Sequence, residues 1–327
     1  MAHLVEQMAY VGQTPWHGLG NVLTPQQPLE VWAKQAGMDW SIIEAPVRYL
    51  ASEAGKLGEI KTEDDHKVLF RSDTQAALSV VGQRYQVVQP REILEFYRDL
   101  TEVAGFELET AGVLKGGRKC WALARTGQAG VVKGNDLTKA YVLLATACDG
   151  SMATTAQFTS VRVVCNNTLA VATAGAVNAV KVRHNTAFDA KAVKQQLGIS
   201  VSAWDDFMYR LRALSERKVK RRDVAAYFER VFAEPGAKAI VKKPAPDSSP
   251  TTPRAMQQVL ALFEGRGRGS DLPSAKGTAY GLLNAVTEFV DHERRARGTD
   301  YRLDSAWFGQ GAAIKQRALD EALRLIA

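Results

Sequence analysis

The chain has 327 residues, of which 46% are hydrophobic and 24% charged, with a formal net charge of +7. This length and composition predict a folded globular protein and exclude a chain that is disordered throughout. No apolar run approaches the roughly 18 residues that a membrane-spanning helix needs, and the first residues lack the basic and apolar regions of a signal peptide. We therefore expect a cytoplasmic protein that has no membrane partner.

The three cysteines of the chain are Cys120, Cys148 and Cys165. Their number is odd, they lie in apolar runs, and no C-x-x-C spacing occurs, so the pattern favours neither a disulfide framework nor a zinc site. We expect small buried residues and no cofactor.

The elements predicted for the first 126 residues begin with an irregular arm. A helix follows at 29–36, ended by Gly37, and Pro90 begins a second helix that Gly105 ends. Short strands are predicted at 47–50 and 67–70, with a charged loop at 63–66, and the run 78–88 reads as a hairpin around Gly82. Two further strands, 106–113 and 120–126, are joined by a glycine turn that carries three cations.

The segment 141–169 holds the densest run of specific residues. An apolar, β-branched run at 141–148 predicts a buried strand, Asp149-Gly150 predicts a turn, and 152–158 predicts a short strand. Ser160 could then cap a helix on which Arg162 and Asn166, four residues apart, share one face. A guanidinium beside a carboxamide could bind phosphate or a base edge; a helix cap with an internal hydrogen-bond pair is the structural alternative.

The second half is predicted to be mainly helical, with helices at 187–214, 223–232, 281–295 and 305–326. The segment 234–253 holds five of the eleven prolines and reads as a linker or exposed loop. We therefore predict an α+β fold in which an antiparallel β-sheet core with helices packed on it is followed by a helical C-terminal region. The predicted divisions are 1–233, 234–253 and 254–327.

The positive charge belongs to the second half of the chain. Residues 1–150 carry 15 Lys and Arg against 18 Asp and Glu, a net −3, whereas residues 151–327 carry 27 against 17, a net +10. Between positions 181 and 222, eleven basic residues stand against four acidic ones. Such an excess is typical of a surface that binds a polyanion, most often nucleic acid; a solvated helical face is the simpler alternative.

Several motifs together resemble those of an uncharacterised family of proteins encoded by phages and plasmids. They are PWHGLG, RSDT, VVGQRYQVVQ, ETAGVLKGGRKCWAL, DGS, RVVCNNTL and GTAYGLLNAVTEFVDH. The predicted order of a helix, three strands and a helix also resembles the core of single-strand annealing proteins of the eukaryotic recombination-mediator type. The two resemblances imply a protein of the host bacterial cytoplasm that binds single-stranded DNA and anneals strands in recombination or replication.

An annealing protein holds the DNA backbone in a basic groove and leaves the bases free to pair. The resemblance implies a homo-oligomer, commonly a ring, and three sets of backbone-binding residues. These sets are Lys115, Arg118 and Lys119; Arg162 and Asn166; and Lys181, Arg183 and His184. Three aromatic residues, Tyr85, Trp121 and Tyr141, could stack on bases, although aromatic residues in strands are more often core residues.

Two other classes of function stay open. Asp64, Asp65, His66 and Asp73, joined by Asp149, could surround a magnesium ion for nuclease or nucleotidyl-transfer chemistry, although their spacing matches no known signature. Cys165 and His17 could act as a nucleophile and base, but nothing in the sequence brings them together. A phage structural or assembly protein is the third possibility.

Overall fold

The computed structural model describes residues 7–12, 20–52, 58–104, 106–164, 167–170, 179–197, 201–233 and 254–327. These residues form two β-sheets and a set of helices. The strands, in chain order, are β1 (Gln7–Val11), β2 (Asn21–Leu23), β3 (Ile42–Ala51), β4 (Glu59–Arg71), β5 (Ala77–Gly82), β6 (Glu107–Leu114), β7 (Lys119–Val131), β8 (Leu137–Ala147), β9 (Thr154–Arg162), β10 (Asn167–Ala170) and β11 (Ala179–Val182).

The helices are α1 (Leu29–Gln35), α2 (Pro90–Ala104), α3 (Ala190–Leu197), α4 (Val201–Glu216), α5 (Arg221–Phe232), α6 (Arg254–Ala261), α7 (Ala279–Glu288), α8 (Thr299–Phe308) and α9 (Gln310–Leu323). A π-helical turn, Phe289–Glu293, continues α7, and a tight 3-10 turn, Lys115–Gly117, joins β6 to β7. Within the described ranges, no helix has both the length and the apolar character required to cross a membrane.

The larger sheet has the strand order β10-β9-β8-β7-β6-β1-β2, and β11 also pairs with β9. All its neighbours are antiparallel except the pair β1 and β2. Strands β3, β4 and β5 form a separate antiparallel sheet. The predicted α+β class, with an antiparallel core and helices in the C-terminal region, is confirmed.

Both faces of the larger sheet are covered, because alternate residues of β7 and β8 enter different cores. Ala122 and Ala124 belong to the main core with α2, α4 and α7, while Trp121 and Leu123 belong to a smaller core on the other face. That smaller core is closed by Leu303 of α8. The sheet is therefore the central layer of the described residues.

The predicted helix beginning at Ser160 is wrong. Strand β9 runs to Arg162 and β10 begins at Asn167, so Leu169 lies opposite Ser160 in the antiparallel register. The spacing of Val161, Val164 and Thr168 resembles a helical face, but the run from 154 to 164 is rich in threonine and valine, which fit a pleated sheet better. Pairing with β8 on one side and β10 on the other decides the outcome.

Three smaller predictions also change. Residues 63–66 lie inside β4 rather than in a loop, and the hairpin expected around Gly82 has only its first strand, β5. The helix expected at 305–326 is two helices, separated at Gly309.

The predicted linker 234–253 falls outside the described residues. Helices on either side of it share one core, which includes Tyr227 of α5 and Leu282 of α7, and the hydroxyl of Tyr227 donates to the carbonyl of Ala318 on α9 at 2.9 Å. The division of the chain into 1–233 and 254–327 stays a prediction.

Gly281 provides a test of how closely the C-terminal helices pack. A β-carbon added there would lie 2.0 Å from the carbonyl oxygen of Ala275. We expect Gly281→Ala to lower the free energy of unfolding by about 1–3 kcal/mol, because the clash outweighs the roughly 1 kcal/mol that alanine gains in a helix. Urea denaturation measures this, and a variant as stable as the natural protein would contradict the described packing.

Candidate nucleic-acid interface

Arg162, the central residue of the predicted site, is buried in an ion pair. Its Nε donates to Oδ1 of Asp136 at 2.9 Å and its Nη2 donates to Oδ2 at 2.7 Å. The Asp136 carboxylate is fully buried and also accepts from the hydroxyl of Ser274, while Arg162 donates to the carbonyl of Gly269 and lies over the Tyr280 ring. The guanidinium therefore connects the sheet to the loop before α7 and is not exposed to a phosphate.

The next residues of the RVVCNNTL motif take part in the same junction. The backbone and hydroxyl of Thr168 donate to Asp291, whose other carboxylate oxygen is 2.8 Å from the ammonium of Lys315. The amide oxygen of Asn167 lies 3.0 Å from Nε2 of His292. Since Asp291 and His292 lie in the motif GTAYGLLNAVTEFVDH, these two motifs pack on each other. Their contacts attach the C-terminal helices to β10.

Three further residues of the predicted sites, Asn166, Cys165 and His17, lie outside the described residues. Arg162 ends β9, so the shared helical face expected for Arg162 and Asn166 does not form. The roles proposed for Asn166, Cys165 and His17 stay predictions.

Lys115 and Lys119 of the glycine turn are both paired with one carboxylate. The ammonium of Lys115 lies 2.6 Å from Oδ2 of Asp304 on α8, and the ammonium of Lys119 contacts Oδ1 of the same residue. Lys119 is buried, whereas Arg118 between the two lysines is exposed. The turn thus directs one cation to solvent and two to α8.

The remaining predicted cations gather at one end of the larger sheet. Lys181 on β11 lies opposite Thr155 on β9, Thr155 lies opposite Ala145 on β8, and Ala145 lies opposite Trp121 on β7. Arg118 directly precedes β7 and Arg183 directly follows β11, so both arginines extend beyond the same end. We call this region, with the turn at 148–152, the His184 end of the sheet.

His184 lies on Tyr85 at this end. The ring centroids are 4.4 Å apart and the planes differ by 16°. The Tyr85 hydroxyl donates to the carbonyl of Ala147 at 2.6 Å, and the two ring nitrogens of His184 lie 3.0 and 3.1 Å from the carbonyls of Gln86 and Met152. Two backbone carbonyls therefore hold the imidazole ring against Tyr85.

An open cleft of about 420 Å³ lies against this stacked pair. Besides Tyr85 and His184, it is lined by Asp65, Gln83, Arg84 and Asn185. The volume is in the range of small-molecule sites, and the lining combines aromatic rings, amides and a guanidinium. We call it the Tyr85–His184 cleft.

The protonation of the groups around this cleft favours binding over nucleophilic chemistry. Burial raises the pKa of the Tyr85 hydroxyl well above its ordinary value. Burial, together with the neighbouring carboxylate of Asp149, raises the pKa of the Cys148 thiol to about 12. Both groups stay protonated at neutral pH, so neither supplies a nucleophile there.

The carboxylates considered for a metal site either have structural partners or lie on the separate sheet of β3, β4 and β5. Asp64, Asp65 and His66 lie on β4, and Asp73 forms an ion pair with the arginine two positions before it. Asp149 accepts from the backbone two residues later, as expected for its turn. Over the part of the chain that the structure describes, no group of three histidine, cysteine or acidic residues is arranged to hold a metal ion.

A second group of exposed cations lies at the turn between α4 and α5. Lys218 donates to the carbonyl of Lys276. The Asp223 carboxylate accepts from the backbone of Lys220, and this hydrogen bond, together with the nearby cations, lowers the pKa of Asp223. The exposed cations of this α4–α5 turn are Arg217, Lys218, Lys220, Arg221, Arg222 and Lys276. Glu216, at the end of α4, pairs with Lys133 beyond β7, so this turn lies toward the opposite end of the sheet.

The sequence patterns predicted no role for Arg84, Asp136 or Asp304. Asp136 and Asp304 gave no local signal, because each acts through a partner far away in the chain. Arg84 lies in the VVGQRYQVVQ motif next to Tyr85, so the motif itself was a usable signal.

The profile of a family described as "Domain of unknown function (DUF932)" matches residues 77–307, which is more than half of the chain. Searches of curated proteins and of solved structures give no significant match. The matched region includes Tyr85, the 148–152 turn and His184.

The buried ion pair can be tested by removing one partner. We expect Arg162→Met to lower the free energy of unfolding by about 3–5 kcal/mol, because Asp136 is left as an uncompensated buried charge. Adding Asp136→Leu to this variant should restore part of the loss. Denaturant titration of the single and double variants measures both effects, and a loss below 1 kcal/mol would show that the pair is not desolvated.

Proposed function

We propose that this chain, which belongs to the DUF932 family, binds single-stranded nucleic acid at the His184 end of its larger sheet, without breaking or forming covalent bonds. The observation that carries the proposal is the Tyr85–His184 cleft. Asp65 of β4, loop 82–85 and residues 184–185 are far apart in sequence and line this cleft together.

The cleft offers what an unpaired nucleotide requires. Hydrogen bonds fix both rings of the stack, so an aromatic surface is prepared in advance, and stacking on such surfaces is a common way of holding unpaired bases. Arg84 in the lining provides a guanidinium for phosphate, and Gln83 and Asn185 provide amide groups for a base edge. A duplex would present neither an unstacked base nor a single backbone to such a cleft.

The cations around the cleft extend the surface. Arg84, Arg118, Lys181 and Arg183 are exposed, and the described residues supply no ion-pair partner within 4.0 Å for any of them. Asp65 lines the cleft and Asp149 acts on Tyr85, so these two carboxylates offset only part of the charge of the four cations. This excess would attract a phosphate backbone in a salt-dependent manner.

The finer role that we propose is strand annealing during recombination or replication of a phage or plasmid, in the cytoplasm of the bacterial host. An annealing protein must release or expose the bases that it holds, and a shallow, open cleft suits this requirement better than a closed pocket does. Self-association would place several such clefts along one strand. Acceleration of pairing between labelled complementary oligonucleotides tests annealing separately from binding.

A double variant tests the position of the interface. We expect Arg84→Ala with Arg183→Ala to weaken binding of an oligothymidylate about tenfold near 0.1 M salt. The slope of log affinity against log salt should fall by about 1.4, since each lost contact to a single strand removes about 0.7 of a counterion. Fluorescence anisotropy over a salt series measures both quantities.

The matched control is Lys220→Ala with Arg221→Ala, which removes the same charge from the α4–α5 turn. We expect this control to change affinity and slope far less. Equal effects of the two double variants would contradict a defined interface at the His184 end. Absence of binding by the natural protein at low salt would overturn the proposed function itself.

A further inference from the structure

Two lysines of the predicted groove share one carboxylate. Lys115 and Lys119 both contact Asp304, so among the described side chains two ammonium groups share one carboxylate and leave a surplus positive charge, although the Lys119 side chain is only 7% exposed. The rings of Tyr301 and Phe308, which lie on α8 as Asp304 does, face the ammonium groups at 5.5 and 5.8 Å. Cation–π contacts of this kind stabilise the surplus charge without cancelling it.

Helix α8 also covers an aromatic residue beside these lysines. Trp307 meets Trp121 edge to face at 4.8 Å, and Trp121 is almost fully buried. The indole nitrogen of Trp121 has no hydrogen-bond partner among the described residues. Proteins that bind single strands combine cations that hold the phosphates with aromatic rings that stack on the bases. Here the Asp304 carboxylate takes the place of a phosphate and the Trp307 ring takes the place of a base.

This covered site lies at the same end of the larger sheet as the Tyr85–His184 cleft, although Trp121 belongs to the smaller core on one face and Tyr85 packs against the main core on the other. The backbone of Cys148 donates to the carbonyl of Arg118 at 2.9 Å, so the 148–152 turn joins the glycine turn directly. Ser79 of β5 donates to the carbonyl of Cys148 at 2.5 Å on the other side. A strand that leaves the cleft and passes round this end of the sheet would reach Lys115 and Lys119.

We propose that α8 is a built-in competitor of nucleic acid, in which the Asp304 carboxylate occupies the place of a phosphate on Lys115 and Lys119. This inference rests on the proposed function. A bound single strand displaces Asp304, loosens α8 and gains two phosphate contacts. The surplus positive charge supports the exchange, because a phosphate-bearing strand neutralises both ammonium groups more fully than one carboxylate does.

The first test removes the competing charge. We expect Asp304→Asn to tighten oligothymidylate binding about tenfold, a coupling of ordinary size between two competing contacts. The slope of log affinity against log salt should stay nearly the same, because the bound strand contacts both lysines in the natural protein and in the variant. Replacing Lys115 and Lys119 by glutamine in this variant should abolish the gain.

The matched control is Asp320→Asn, which makes the same charge change at an exposed position of α9 where the side chain accepts from Gln316. It should shift affinity only slightly. An equal gain in the two variants would mean that net charge alone acts, and would overturn the inference. Binding by the natural protein that is unchanged in Asp304→Asn would overturn it as well, while leaving the proposed function intact.

A second measurement needs no variant and therefore does not depend on Asp304→Asn folding. Hydrogen exchange of the α8 amides is followed in the natural protein with and without an oligothymidylate of about 20 nucleotides, which is longer than one cleft can hold. We expect faster exchange in 299–308 when the oligonucleotide binds. Binding with unchanged or slower exchange there would overturn the inference, and failure of the natural protein to bind would overturn the proposed function with it.

Discussion

The buried ion pair of Arg162 and Asp136 is the constraint on which the arrangement of the C-terminal helices depends. It lies where β9 ends, and it receives the loop before α7 through Ser274 and the carbonyl of Gly269. A charge pair so deeply buried requires complete hydrogen bonding, because either ion alone would be strongly destabilised. The loop that begins α7 is therefore held in one position against the sheet, and the Asp291–Lys315 pair strengthens the same attachment at β10.

The cations of the chain fall into two classes, those paired within the fold and those exposed to solvent. Arg162 and Lys315 are committed to the architecture, and Lys115 and Lys119 are paired with α8. The exposed arginines at the His184 end have no ion-pair partner among the described residues, so the positive surface available to a ligand is smaller than the net charge suggests. Electrostatics alone does not choose between this end and the α4–α5 turn; the stacked rings and the cleft beside them favour the His184 end.

Local chemistry made much of the fold predictable. The amphipathic helix from Pro90, the turn at Asp149-Gly150 and the strands around the glycine turn all follow from neighbouring residues. The site was less predictable, because its decisive contacts join distant residues: Arg162 and Asp136 are 26 positions apart, and Lys119 and Asp304 are 185 apart. No local pattern shows whether an arginine faces a phosphate or a buried carboxylate. Of the predicted aromatic platforms, Tyr85 is in an open cleft and Trp121 is covered.

Photo-crosslinking is the most direct test of the claim that the Tyr85–His184 cleft holds an unpaired base. The natural protein is irradiated with a single-stranded oligonucleotide containing 5-iodouracil, and the crosslinked peptides are identified by mass spectrometry. The account predicts crosslinks in the peptides that contain Tyr85 and His184, which excess unlabelled oligothymidylate suppresses. Crosslinks confined to the α4–α5 turn, or none at concentrations where the protein is saturated, would contradict it.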